Sequence, residues 1–160
     1  MKATVRMMLA LVLVLGGCAS GASGTQRALS KQADHAAIQN LEVIFHRAAS
    51  TKNVDEMMGL FADDAVFTIG GQTYAGKDQI RKFVENSASY KPENHWVSST
   101  PAYKIRLSSD GDRGTLYFEC DYIDVDSRTV KAVVGADVKV ARSKDHWVFT
   151  KVVGGPAVLG

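Results

Sequence analysis

The chain has 160 residues, 46% of them hydrophobic and 22% charged, with a formal charge of +2 at neutral pH. That length and apolar share suit one domain with a proper core. No basic cluster stands out, which argues against nucleic acid as a partner. The excess positive charge belongs to Lys2 and Arg6, because residues 18–160 balance at 17 basic and 17 acidic side chains.

Residues 7–15 form an unbroken apolar run behind Lys2 and Arg6. Nine residues are too few to cross a bilayer, which takes about 20 in a helix. A basic start, a short apolar stretch and small residues after it read as a secretory signal. Leu15-Gly16-Gly17-Cys18 resembles the lipobox of bacterial lipoproteins. The resemblance implies residues 1–17 as signal peptide and lipid on Cys18 as the new N-terminus. It also implies a place in the cell envelope, anchored to membrane. Ala19, not Asp, follows the cysteine, which in a Gram-negative cell implies the outer membrane, facing the periplasm. Residues 18–31 are small and polar without periodicity and predict a flexible tether. With Cys18 lipidated, Cys120 is the one cysteine left, so the mature chain has no intrachain disulfide. A lone thiol of this kind reads as a small buried apolar residue.

Between residues 33 and 50, Ala37, Ile38, Leu41, Ile44, Phe45 and Ala48 recur at helical spacing. Asn53 starts a second helix, with Glu56 as capping-box partner. Met57, Met58, Leu60 and Phe61 form its buried side, and Ala62-Asp63-Asp64 ends it. Residues 65–69 and 72–75 predict a hairpin turning on Gly70-Gly71. Residues 76–89 predict a third helix with Ile80, Phe83 and Val84 inward. After Pro92 the period changes to two, giving four strands over about 95–107, 114–125, 129–142 and 146–153. Helices first and an antiparallel meander after is an α+β pattern. Residues 154–160 predict a loose C-terminal tail.

This order resembles the SnoaL-like group of the nuclear-transport-factor-2-like superfamily. The residues that carry the likeness are 60–67 (LFADDAVF), 74–80 (YAGKDQI), His95 opening a strand and Trp147 in the last strand. The resemblance implies one SnoaL-like domain over 32–153, a curved antiparallel sheet wrapped on three helices into a cone with an internal pocket. It further implies a homodimer through the outer sheet face. The group includes isomerases, dehydratases and proteins without chemistry, so the fold leaves function open.

Strand alternation assigns the faces. Leu116, Phe118, Cys120 and Tyr122 share the inward face, and Tyr117, Glu119, Asp121 and Ile123 the outward one. In the next strand Val130, Ala132, Val134, Ala136, Val138 and Val140 point inward, and Lys131, Asp137 and Lys139 outward. In the first strand Ile105 and Leu107 set an inward parity that Tyr103, Val97 and His95 share, provided Pro101 makes no bulge. The expected pocket lining is therefore Phe45, Phe67, Phe83, Val97, Tyr103, Phe118, Cys120 and Val138. His95 and Tyr122 are the candidate catalytic groups, His95 because an imidazole beside an apolar cavity can act as acid or base near neutrality. Glu119 and Asp121 are expected on a solvated or dimer-facing surface.

Specific chemistries fare poorly. The positions that carry ketosteroid-isomerase groups in the superfamily fall on Phe45, Ile69 and Val138 or Asp137, so that mechanism is rejected. No Asp-Arg-Asp trio points inward as the fold's epoxide hydrolases require. His35 and His46 share a helix face but lie about 16 Å apart along it, too far to hold one ion. No phosphate loop, nucleophile elbow or cofactor motif appears, so no metal and no cofactor are expected. Three readings follow. The first is binding of a small hydrophobic molecule without catalysis. The second is a dehydratase-like lyase or isomerase using His95, and the third a structural or accessory envelope domain.

Overall fold

The computed structural model describes residues 19–100, 103–108 and 111–158, with side chains from residue 23 onward. The signal run, the lipobox with Cys18, and Pro101 and Asp110 lie outside the described residues.

Helix α1 spans Ala19–Thr51. Ile38, Leu41, Glu42, His46, Ala48 and Ala49 form its buried stripe, at the expected 3.6 spacing. Residues 19–31 belong to the same helix, where the sequence predicted a tether, and side chains 23–33 are exposed. A helix nucleated by packing extends outward at little further cost through good formers such as Gln26, Arg27, Ala28 and Leu29.

Helix α2 is only Val54–Gly59, capped by Asn53, whose side chain accepts from the Glu56 backbone N–H. Phe61–Asp64, expected to end α2, instead open strand β1 (Phe61–Ile69). Strand β2 (Gln72–Ala75) returns through Gly70 and Gly71 at φ 57° and 77°, the conformation a two-residue hairpin turn demands. Helix α3 (Lys77–Asn86) buries Ile80 and Val84, and a 3₁₀ turn (Ala88–Tyr90) follows. Strands β3 (Trp96–Ser99), β4 (Tyr103–Leu107), β5 (Arg113–Asp124), β6 (Thr129–Ser143) and β7 (His146–Gly155) complete the chain.

The seven strands form one curved sheet in the order β2-β1-β7-β6-β5-β3, with β4 also on β5. All pairs are antiparallel except β1 with β7, so the sheet is mixed where a purely antiparallel one was expected. Strand β1 runs alongside the last strand, and just before it Leu60 O accepts from Phe149 N at 2.7 Å. Residues Ile38, Met57, Ile80, Leu116, Phe118, Phe149 and Val152 are fully buried between sheet and helices. Phe149 meets Phe61 edge-on at 5.4 Å and stacks on Phe118 at 6.5 Å.

One strand expected over 95–107 is two. Tyr103 faces Phe118 while Ser99 faces Asp121. Four steps along the first segment therefore match three along β5, a one-residue slip. Because strand side chains alternate, the slip exchanges the faces. Ser98 now stands opposite Tyr122, and Trp96 lies on that inward face. His95 and Val97 take the other parity.

The outer face also differs from expectation. Glu119 is on it, but its exposure is 0%. Residues 156–158 fold back over it, and Val158 N donates to Glu119 Oε1 at 2.7 Å and to Tyr117 Oη at 2.9 Å. A side chain at Gly135 would collide with Pro156 O and Tyr117 Oη, each 2.6 Å from a Cβ placed there. The residues expected as a loose tail are thus partly strand, Gly154 and Gly155 ending β7, and partly a strap on the sheet.

Candidate functional site

The concave side of the sheet encloses a cavity of about 200 Å³ with apolar walls. Its floor is built from small side chains. Ala132, Val134 and Ala136 of β6 and Val152 and Gly154 of β7 face it, with Ala136 directly beside Gly154. Larger residues there would erase the space; a Cβ at Gly154 would already come within 2.9 Å of Ile69. Aromatic rings form the sides. Phe67 and Phe83 lie 5.1 Å apart with Tyr74 packed behind them at 4.6–6.4 Å, and Trp96 lies 6.5 Å from Tyr122.

The remaining wall is the segment 87–90, which contributes Ser87, Ala88, Ser89 and Tyr90. It is held by Lys52. This residue ends α1 at φ 56°, an uncommon conformation for a residue with a Cβ. Its ammonium donates to the carbonyls of Ser89 at 3.0 Å, Lys91 at 3.0 Å and Asn94 at 2.6 Å. Charge-assisted bonds of this kind are about twice as strong as neutral ones. One side chain thus ties the cavity wall to the first helix.

Of the residues expected to line the pocket, Phe45, Phe67, Phe83 and Cys120 do so, and so does Tyr122, one of the two candidate catalytic groups. Phe118 and Val138 are buried in the neighbouring core, Phe118 edge-on to Phe45 at 5.0 Å. Tyr103 is 41% exposed at the rim of the sheet, where its hydroxyl accepts from Gln39 at 2.8 Å. Val97 does not reach the cavity. His95 is the main correction. Its side chain is 59% exposed and its Nδ1 lies 2.6 Å from Asp126 Oδ2 at the far end of the hairpin. The register slip between Ser99 and Tyr103 removes it from the cavity, and with it the basis for His95 as acid or base.

The imidazole that is buried is His46. Its Nδ1 lies 2.7 Å from Ser98 Oγ. Its Nε2 lies 3.2 Å from Glu42 Oε1, one helical turn back, but outside hydrogen-bonding alignment. Burial pulls the imidazole down to about 4, so it is neutral at pH 7. Burial likewise raises the Glu42 carboxyl, partly offset by a hydrogen bond from Thr100. Ser98 is tied further to α1, its N–H donating to Ser50 Oγ at 2.8 Å. Opposite it, burial raises the Tyr122 phenol, and hydrogen bonds from Ser89 and Ser98 pull it partly back.

Helical spacing could have found this cluster. Positions 42 and 46 fall on the same stripe as Ile38, Leu41, Phe45 and Ala49, so both polar groups had to be buried. The Cys120 thiol is raised by burial, with the carboxylates of Glu42, Asp121 and Glu119 adding to it, so it does not ionise at neutral pH. Among the described residues, no group of three or more His, Cys, Asp or Glu could hold a metal ion. No described helix is long and apolar enough to cross a membrane.

Solved structures share this architecture at low identity. A nuclear-transport-factor-2-like protein with a cystatin-like fold from Novosphingobium aromaticivorans superposes with a TM-score of 0.73 at 14% identity, over 89% of this chain and 92% of that one. The hexachlorocyclohexane dehydrochlorinase LinA-type3 from Novosphingobium barchaimii gives 0.67 at 20% identity, over 80% and 89%. A nuclear-transport-factor-2-like protein of unknown function from Pseudomonas putida gives 0.68 at 16%, over 80% and 90%. No curated protein matches the sequence. The SnoaL-like domain matches residues 30–153, from within α1 into the last strand, and the chain belongs to the SnoaL-like domain family.

Proposed function

We propose that the protein is a lipid-anchored cell-envelope member of this family whose cavity binds a small apolar molecule. The observation that carries the reading is the cavity itself, about 200 Å³ between apolar walls. An engineered apolar cavity of about 150 Å³ stays dry and binds benzene, so this one has room for a substituted single ring. The lining holds no charged side chain, which disfavours an ionic occupant. The dehydrochlorinase neighbour is named for a single-ring substrate, in keeping with that size. The anchor rests on the lipobox at residues 15–18 and on a mature chain without net charge to hold it to lipid.

Titration with ethylbenzene, followed through the fluorescence of Trp96 in the cavity wall, tests the binding half. Saturable binding in the submillimolar range is expected. Ala136→Phe fills the floor and abolishes it. Overpacking of this kind costs about 1–3 kcal/mol, so a thermal melt separates a filled cavity from an unfolded chain. Ethylbenzene bound equally well by the filled variant would remove the cavity as the site.

A further inference from the structure

The cations are scattered along the sequence, and strand pairing gathers five of them. Lys104 and Arg106 on β4, Arg113 on β5, Lys139 on β6 and Lys151 on β7 are all exposed. Their chain neighbours turn the other way. Ile105 packs on the core, Val138 and Val140 are buried on either side of Lys139, and Val152 is buried next to Lys151. Alternation therefore puts the cations on the outer face of the sheet. The ladders set three of them in one row: Arg106 faces Thr115, Thr115 faces Lys139, and Lys139 faces Lys151. Lys104 and Arg113 lie two residues to either side, opposite Tyr117 and Ala141.

Like charges directly opposite on paired strands are destabilising, and Lys139 with Lys151 is such a pair. None of the five forms an ion pair among the described residues. Asp137 shares the face, and Asp64 is exposed where β1 shifts register against β7, so five cations meet two carboxylates. Residues 18–160 balance at 17 basic and 17 acidic side chains, so the excess is local. We infer that this part of the outer face docks on an anionic lipid bilayer. The cations span four strands, about 14 Å at the usual strand spacing, a breadth that suits a plane of headgroups and not one small anion. A second copy placed against the same row would bring like charges together. Helix α1 leaves the sheet at this end, where Arg142 pairs with Asp34 and where Arg27 and Lys31 lie beside Gly111 and Asp112. Ala19, next to the proposed lipid site, opens that helix. Lipid on Cys18 would hold the molecule by that end, and the row would add orientation to an attachment the lipid supplies. The inference goes beyond the cavity reading and does not depend on it.

The full chain is mixed with vesicles of phosphatidylcholine alone, or rich in phosphatidylglycerol, at about 0.1 M salt, where charges are felt over about 10 Å. A brief pulse of a water-soluble amine-acetylating reagent is then read lysine by lysine by mass spectrometry. Lys139 and Lys151 are expected to react at least about fivefold more slowly on the anionic vesicles, the worth of one cation at such a surface. Lys82, exposed on α3 in the helix layer, should react equally on both. Salt at about 1 M, where the range falls to about 3 Å, should erase the difference. Arg106→Glu should return Lys139 and Lys151 to their rate on neutral vesicles, and Arg128→Glu, at the β5–β6 turn, should not. Both arginines are exposed, so the variants keep the fold, which a thermal melt checks. Equal rates on the two kinds of vesicle overturn the inference, as does slowing of Lys82 in step with the others. Protection that appears without vesicles and grows with protein concentration overturns it in favour of a second copy. Protection by soluble polyglutamate and not by vesicles overturns it in favour of an acidic protein. None of these results touches ethylbenzene binding in the cavity, and retention on neutral vesicles reads the lipid anchor separately.

Discussion

At the scale of single residues, His46 has the clearest consequence for stability. Its folded-state value of about 4 lies below the ordinary 6.5. A depressed imidazole contributes stability that is complete above pH 6.5 and is lost as pH falls from 6.5 towards 4, because the unfolded chain takes up the proton first. That loss is on the order of 3 kcal/mol. Glu42 acts in the opposite direction, since its raised carboxyl holds a proton in the fold that the unfolded chain releases. Urea melts at pH 7 and pH 5 read the balance. His46→Gln removes the imidazole's share, so the variant should lose less stability between those two values than the wild type. An identical loss in both would show that His46 does not titrate in this window. Cys120 offers a second check at this scale. It is 3% exposed and its thiol is raised by burial. In a Cys18→Ala chain it should react with a thiol reagent only after unfolding, at least a hundredfold faster in denaturant than in buffer.

At the scale of elements, the sequence shows clearly where strands and helices lie and less clearly how they register. The α1 stripe, the Gly70-Gly71 turn and the faces of β5 and β6 from Ala132 to Val140 follow from period and turn chemistry alone; Val130, expected inward, is 56% exposed opposite Ile123, because the ladder shifts register between Tyr122 and Ile123. Phe45, Cys120 and Tyr122 were readable for that reason. His95 was not, because one residue of slip between Ser99 and Tyr103 reverses every side chain before it, and periodicity carries no count of residues through a break. The strap at residues 156–158 was invisible for a different cause, since its bonds to Tyr117 and Glu119 join positions about forty residues apart. Lys52 was equally hidden, as its partners are backbone carbonyls. Lys52→Met keeps the length of the stem and removes the charge. It should cost about 2–3 kcal/mol in a thermal or urea melt, the range for hydrogen bonds to a charged group. Amide hydrogen exchange should rise in residues 88–94 above all. A uniform rise across the domain would mean that Lys52 does not act on that wall in particular.

At the scale of the whole molecule, attachment and assembly are separate proposals. Cys18→Ala removes the lipid site, and the exported chain should then move from the membrane fraction to the soluble one. Two or three acyl chains anchor stably where one does not, so the shift should be nearly complete. A variant still sedimenting with membrane would mean that something other than lipid holds it. The homodimer proposed from the family likeness would use the outer sheet face, which offers Val133 at 50% exposure and Val153 at 37% beside the strap. Lys139→Glu on that face should lower the solution mass from dimer towards monomer, and a wild type already monomeric at micromolar concentration would end the proposal.

The place of β7 carries a consequence for how the protein is made. The last strand in sequence lies between β1 and β6, inside the sheet and not at its margin. Until residues 146–155 have emerged, β1 has no neighbour except β2, and β6 has an open edge. A growing chain therefore cannot finish its sheet early, and long-range pairing of this kind forms slowly. Helices can form on the way, but the barrier to complete structure stands at the final strand. If the chain is exported as proposed, that timing would keep it pliable for the whole of its passage through a narrow channel.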